Sequence, residues 1–359
     1  MSTSSATTIT LTSIAVAALS FIAFRMLFGN KNHFPVDGLT AIVTGGSQGL
    51  GLAIAEELSS KGANVVIVAQ DTGKLGRAVQ TLKSRAARPQ QKFLDLSFDL
   101  RSPDSAPEII NQVTRWNNGQ APDLIFCCAG NCQPAFFADA SIDTLRGQMD
   151  TVYWSAAYMA HAALNAWKRP SSLEGKKTTP TPTRHIVFTC STLAFFPVAG
   201  YSPYSPAKAA MKAMVDGLNQ EVALYNGARQ GSAGPAPDAD IALHIVYPMG
   251  ILSPGYENEN KTKPELTLML EKDDKPQQPE ELAKIILNRL SSGDFMITTM
   301  LLGHLMRGAG MGSSVRGGIM DVFWNWLGSL VIIFVTPDFI SKCRNWGKQK
   351  GMNVARAAA

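Results

Sequence analysis

Charge is scarce in this chain. Asp, Glu, Lys and Arg together make up 17% of its 359 residues, and the net charge is a modest +5. No basic run is interleaved with aromatic residues, so the electrostatic footprint that nucleic-acid binding requires is missing. Cysteine is sparse as well: five residues, at 127, 128, 132, 190 and 343, show no paired metal-ligand spacing, and no metal site is expected. They read as reduced, buried thiols of a cytosolic compartment. Internal repeats are absent. What the chain does have is apolar content, 45% of its residues, enough to bury the core of one large α/β domain with added ends.

One of those ends is itself apolar. Residues 9–28 are interrupted only by small hydroxyl residues and by Arg25, which is long enough to cross a bilayer. The segment before them lacks a basic n-region, and no clean small-x-small cleavage site follows, so it reads as an uncleaved anchor rather than a signal peptide. No Lys or Arg precedes the span, whereas Arg25 and Lys31 lie on the domain side. That bias places the domain in the cytosol. The expected division is an anchor over 1–35, a nucleotide-binding domain over 36–300 and an apolar, membrane-associated region over 301–359.

Between the ends, apolar runs alternate with helical periodicity. Strands are expected over 39–43, 64–69, 91–96, 123–128, 185–190 and 241–247, and helices over 74–84, 107–116 and 142–167. Polar, proline-punctuated loops are expected over 168–184 and 227–240. This order predicts an α/β fold: a doubly wound parallel sheet with helices on both faces.

The first strand runs into Thr44-Gly45-Gly46-Ser47-Gln48-Gly49-Leu50-Gly51, and an apolar helical pattern follows over 52–58. Strand, glycine turn and helix form the context of a dinucleotide site, in which glycines let the pyrophosphate approach the backbone and the helix N-terminus holds it. Farther on, Tyr204 and Lys208 are one helical turn apart, so they share a face and the ammonium can act on the phenol. Ser191 closes the fifth strand at the sheet edge where such folds bind ligands.

The thirteen-residue spacing from Ser191 to Tyr204, the Tyr-x-x-x-Lys pattern and the glycine run resemble the short-chain dehydrogenase/reductase superfamily. The resemblance implies that Ser191 polarises a substrate carbonyl. Tyr204 would donate the proton, and Lys208 would lower the Tyr204 pKa while binding the nicotinamide ribose. It also implies that Asp99 bonds the adenine amine and that Ala129, Gly130 and Pro248 flank the cofactor. Where an acid would select NAD, the second strand ends in Ala69-Gln70-Asp71. The arginine expected at 70 is missing too, which leaves Lys74 or Arg77 to meet the NADP 2′-phosphate, and NADPH is expected from the resemblance. The chain departs from the superfamily at Val152, where an asparagine supports a proton relay, at Cys127-Cys128 and at Met249.

Within the superfamily, the anchor, the Tyr-Ser-x-x-Lys pattern, the run Ser253-Pro254-Gly255-Tyr256-Glu257-Asn258-Glu259-Asn260-Lys261-Thr262-Lys263-Pro264-Glu265 and the apolar tail resemble the 3-ketodihydrosphingosine reductase family. That resemblance implies reduction of 3-ketosphinganine to sphinganine with NADPH at the cytosolic face of the endoplasmic reticulum. The bilayer would be a partner, and a homo-oligomer stays open. A groove lined by Phe136, Phe137, Phe195, Phe196 and Pro197 is expected to take the alkyl chain, and Glu257 or Glu259 the substrate amine. Two alternatives stay open, a membrane-anchored reductase of another lipid ketone or aldehyde, such as a steroid, retinoid or acyl-glycerone, and a non-catalytic NADP-binding scaffold. In the tail, the apolar stretch 320–335 is broken by Asp321, Asn325 and Gly328 and is short for a span, as is 295–305. Re-entrant or interfacial segments, a subunit interface and one tilted span all fit, with Trp324, Trp326 and Trp346 suited to a headgroup boundary.

Overall fold

The computed structural model describes residues 32–168, 181–231 and 234–352. The expected anchor over 9–28, with Arg25 and Lys31, lies outside the described residues.

Seven parallel strands form one sheet in the order β3-β2-β1-β4-β5-β6-β7. They are β1 Thr40–Thr44, β2 Asn64–Ala69, β3 Phe93–Ser97, β4 Leu124–Cys127, β5 Arg184–Thr189, β6 Ile241–Tyr247 and β7 Met296–Thr298. β1 and β4 are buried along their whole length, as unbroken Val/Ile/Leu runs must be when helices cover both faces. On one face lie α1 Gly49–Ser60, α2 Thr72–Ser84 and α9 Pro279–Ser291, whose Ile54, Leu75 and Ile286 enter one core cluster. The other face carries α3 Ser105–Trp116, α5 Ser155–Trp167 and α6 Ser205–Gln230, with Ile109, Met159 and Met211 in the second cluster. The sheet is therefore doubly wound, as the sequence predicts. Its order reverses between β1 and β4, and that switch point opens a crevice at the strand C-termini.

Several expectations need correction. The stretch expected as one helix over 142–167 comprises α4 Ile142–Gln148, a π-helical turn Met149–Trp154 and α5. Buried Val152 sits in that turn, and such bulges recur at functional sites. The second expected loop starts later than 227, because α6 continues to Gln230. Residues 295–305 supply β7 and the start of α10 Leu301–Gly310. Most consequentially, the polar interruptions do not divide the tail: α11 runs unbroken from Ile319 to Lys350, 32 residues. Each interruption finds a partner. Asp321 pairs with Arg307, Asn325 Nδ2 donates to the Gly308 carbonyl at 2.8 Å, and Gly328 packs against α10. Length and composition make α11 a candidate membrane span, with little of its apolar stretch buried.

Candidate active site

β1 ends in a turn that only glycine can make at its first position. Gly45 has φ +67°, and a Cβ there would lie 2.9 Å from the Ala129 backbone. The loops after β1 and β4 are thus pressed together. Thr44 clamps them from behind: its hydroxyl donates to the Phe126 carbonyl at 3.2 Å and accepts from the amides of Cys128 and Ala129 at 3.1 and 3.2 Å. Thr44, expected to bind cofactor, lies behind the cavity lining and bonds the loop that faces it. The Gln48 side chain does not cap α1, which leaves its first-turn amides and positive dipole end facing the crevice.

The crevice is a cavity of about 460 Å³. Gly45, Ser47, Gln48, Gly49, Leu50, Gly51, Ala129, Gly130 and Pro248 line it at the glycine-loop end, and Ser191, Tyr204 and Lys208 line its wall. A cradle of this kind can hold a dinucleotide phosphate, with a serine, a tyrosine and a lysine beside it. Gln70, Lys74 and Asp99 stand outside its lining. Lys74 Nζ nevertheless donates to Gln48 Oε1 at 2.9 Å, which places a cation beside the glycine loop. Asp99 is held by Arg101 at 2.5 Å, and that side-chain hydrogen bond keeps its carboxyl below the usual range. Gln70 lies near Asp99 and helps to lower its pKa.

Catalytic geometry depends on α6. Tyr204 precedes its first turn, with Pro206 inside that turn to start the helix, so Tyr204 and Lys208 project toward the end of β5. Lys208 is buried, its Nζ donates to the Thr189 carbonyl at 2.7 Å, and it lies 5.5 Å from the Tyr204 ring centre. Burial pushes the Lys208 ammonium below its usual range. Burial likewise holds the Tyr204 phenol well above its range, reinforced by the Glu259 carboxylate and opposed by a hydrogen bond with Ser191. The phenol therefore keeps its proton at neutral pH. The neighbouring thiols stay neutral too, with Cys128 and Cys190 each pushed up to about 11 by burial. All five cysteines are free.

A neutral phenol beside a serine hydroxyl and backed by a lysine can hand a proton to an oxygen that is gaining negative charge. The sequence profile described as short chain dehydrogenase matches residues 39–235. The chain belongs to the short-chain dehydrogenase family. The 3-ketodihydrosphingosine reductase ksrA of Aspergillus fumigatus is 48% identical over 345 residues, covering 94% of each chain. The 3-ketodihydrosphingosine reductase gsl-3 of Neurospora crassa is 37% identical, covering 94% of this chain and 90% of its own. Among solved structures, L-sorbose reductase from Gluconobacter frateurii, complexed with NADPH and L-sorbose, shares the fold. It has a TM-score of 0.56 at 21% identity and covers 74% of this chain and 95% of its own.

The family pattern does not contain the opposite wall of the cavity. α7 Pro254–Thr262 and α8 Glu265–Leu270 form it, and Ser253 caps α7 by accepting from the Tyr256 amide at 3.2 Å. Buried Lys263 bonds Glu259 at 3.1 Å and Glu271 at 2.8 Å, and Tyr201 donates its hydroxyl to Glu259 at 2.6 Å. Sequence reading singled out Glu259 but missed Tyr201, Lys263 and Glu271. No local signal marks Lys263, since the neighbouring Asn260, Lys261, Thr262 and Glu265 are polar or charged and the stretch reads as a solvated surface. Glu257 is exposed and outside the cavity. Of the aromatic groove expected for the alkyl chain, Phe196 alone lines the cavity. Phe195 packs on Tyr247 at 4.3 Å between ring centres, and Phe137 is exposed.

Proposed function

We propose that this enzyme reduces the ketone of 3-ketodihydrosphingosine to the alcohol of dihydrosphingosine with NADPH, at the cytosolic face of the endoplasmic reticulum membrane. The observation that carries the proposal is the convergence of Ser191, Tyr204 and Lys208 on one wall of the cavity that the glycine loop closes. The 48% identity to a relative of that name, across almost the whole chain, supports the substrate class. When bound, NADPH supplies the hydride. The chain's own residues handle the oxygen. Ser191 and Tyr204 donate hydrogen bonds to it, and these strengthen as negative charge develops there. Tyr204 then releases its proton to the alkoxide. Lys208, fixed by the Thr189 carbonyl, stabilises the phenolate left behind and stands where a nicotinamide ribose would lie.

Preference for NADPH is assigned to Lys74, whose ammonium reaches the glycine loop through Gln48. Lys74→Ala raises the KM for NADPH about tenfold, the worth of one charge-assisted hydrogen bond, with the KM for NADH nearly unchanged. Equal changes for both nucleotides would remove Lys74 from that role.

Glu259 and Glu271 at the cavity wall outnumber Lys263 and leave an excess of negative charge facing the substrate. That excess suits the ammonium beside the ketone. Glu259→Gln is expected to narrow the enzyme's preference for an amino ketone over the same ketone without its amine by about fivefold, measured as the ratio of kcat/KM values. An unchanged ratio would take Glu259 out of amine recognition. Membrane residence is proposed from α11 and from the apolar 9–28 segment, with 36–300 as the nucleotide-binding unit. Protease accessibility of the catalytic domain on sealed microsomes tests the orientation.

A further inference from the structure

The cavity does not stop at the catalytic residues. Beyond Phe196 it continues between α10 and α11, where Leu302, Leu305 and Met306 of one helix face Val331, Ile332 and Val335 of the other. The spacing explains this wall. On α11 most of the buried and half-buried positions, among them 321, 324, 325, 328, 331, 332, 335 and 339, recur at three- or four-residue spacing and form one stripe. The intervening Trp326, Ile333 and Phe334 are exposed, at 60%, 60% and 76%. One helix therefore has two apolar faces, the inner one lining the catalytic cavity and the outer one turned away from the protein.

The wall is held firmly. Gly328 allows backbone contact between the helices, since a Cβ there would lie 2.6 Å from the Leu305 carbonyl oxygen and the Ala309 nitrogen. The buried Arg307–Asp321 pair ties them again, and Arg307 Nη1 donates to the Met296 carbonyl of β7 at 2.9 Å. Phe339 closes the far side edge-to-face on Phe196, with 5.1 Å between ring centres. α11 is thus anchored to the sheet edge and cannot drift as an independent tail.

We propose that the α10–α11 pair is the alkyl-chain channel of the enzyme. The chain of the sphingoid ketone lies along Leu305, Val331 and Val335, entering from the bilayer against which the outer face of α11 rests. This rests on the substrate reading above. Its physical basis is continuity: a ketone held at Tyr204 must send its chain somewhere, and the apolar exit from the catalytic end of this cavity runs along α11. Keeping the chain in that channel avoids exposing methylenes to water, at about 0.8 kcal/mol each.

The experiment uses full-length protein in lipid nanodiscs with a short-chain and a long-chain 2-amino-3-ketone. Val335→Trp, which fills the channel, is compared with Ile333→Trp on the outer face. Val335→Trp is expected to lower kcat/KM for the long-chain ketone by at least about tenfold and to leave the short-chain value within about twofold. Ile333→Trp is expected to change neither. Equal losses on both ketones with Val335→Trp, or no loss on either, would overturn the channel. Failure of the wild type to reduce any amino ketone would instead overturn the substrate reading. If Val335→Trp no longer binds NADPH, and so is misfolded, the wild type decides. A long-chain amino ketone with a diazirine near its tail is expected to label α10 and α11. Labelling confined to α7 and α8 would refute the proposal.

Discussion

Replacing Tyr204 with phenylalanine is expected to lower kcat for ketone reduction by about 100- to 10,000-fold, the range for losing a positioned general acid. The substitution deletes one hydroxyl from a buried ring and leaves its packing in place. NADPH affinity, read by nucleotide fluorescence, should therefore hardly change. Burial keeps the phenol protonated, so the wild-type enzyme holds its transferable proton at neutral pH without help from solvent. In the variant, Ser191 can still polarise the oxygen, but no side chain in contact with it can release a proton. Retention of more than about a tenth of the wild-type kcat would show that another group supplies the proton. Loss of NADPH binding together with activity would mean that the ring, not the hydroxyl, is what matters.

The second large effect is expected far from the reacting atoms in sequence. Lys263→Met should destabilise the protein by about 3–5 kcal/mol, because it leaves two partly buried carboxylates without their cation. Lys263 is 1% exposed and is flanked by Glu259 and Glu271, with the rings of Tyr256 and Tyr201 at 5.1 and 5.5 Å from its ammonium. Burial opposes the charge, yet the two carboxylates outweigh it and hold the Lys263 ammonium above its usual range. Without it, the carboxylates repel each other across the junction of α7 and α8, and the cavity wall opposite Tyr204 loosens. The fall in Tm is expected to be roughly 4–7 °C. Adding Glu259→Gln and Glu271→Gln to Lys263→Met should recover much of it by removing the unpaired charges. A Tm within 2 °C of wild type for Lys263→Met alone, on the order of what a surface change produces, would show that the ion cluster contributes little.

Elements whose signals are local were legible in the chain. Asn64–Ala69 and Ile241–Tyr247 appear with the bounds that their largely apolar runs imply, since a strand buried on both faces is mostly apolar; the one polar residue inside the second run, His244, is buried and bonded to His185 of the adjacent strand. Ser191, Tyr204 and Lys208 were legible because strand end and helix turn fix their relative positions within a short stretch of chain. Thr44 shows the limit of motif reading. It belongs to the glycine-loop pattern, but its hydroxyl points to Phe126, Cys128 and Ala129, partners more than 80 residues away.

What fastens the tail was hidden for the same reason. Asp321, Asn325 and Gly328 look like breaks in an apolar segment when only their neighbours in sequence are weighed. Their partners Arg307, Gly308 and Leu305 lie on a different helix, and pairing across that interface turns each interruption into a fastening. The sequence by itself determined the parallel α/β sheet, the glycine turn and the serine, tyrosine and lysine of the site, because periodicity and short spacing encode them. Only the tertiary structure decided that Lys263 is buried between two carboxylates, that Tyr201 bonds Glu259 across 58 residues of chain, and that the inner face of α11 walls the catalytic cavity. These depend on contacts between distant segments, and such contacts leave no local pattern to read.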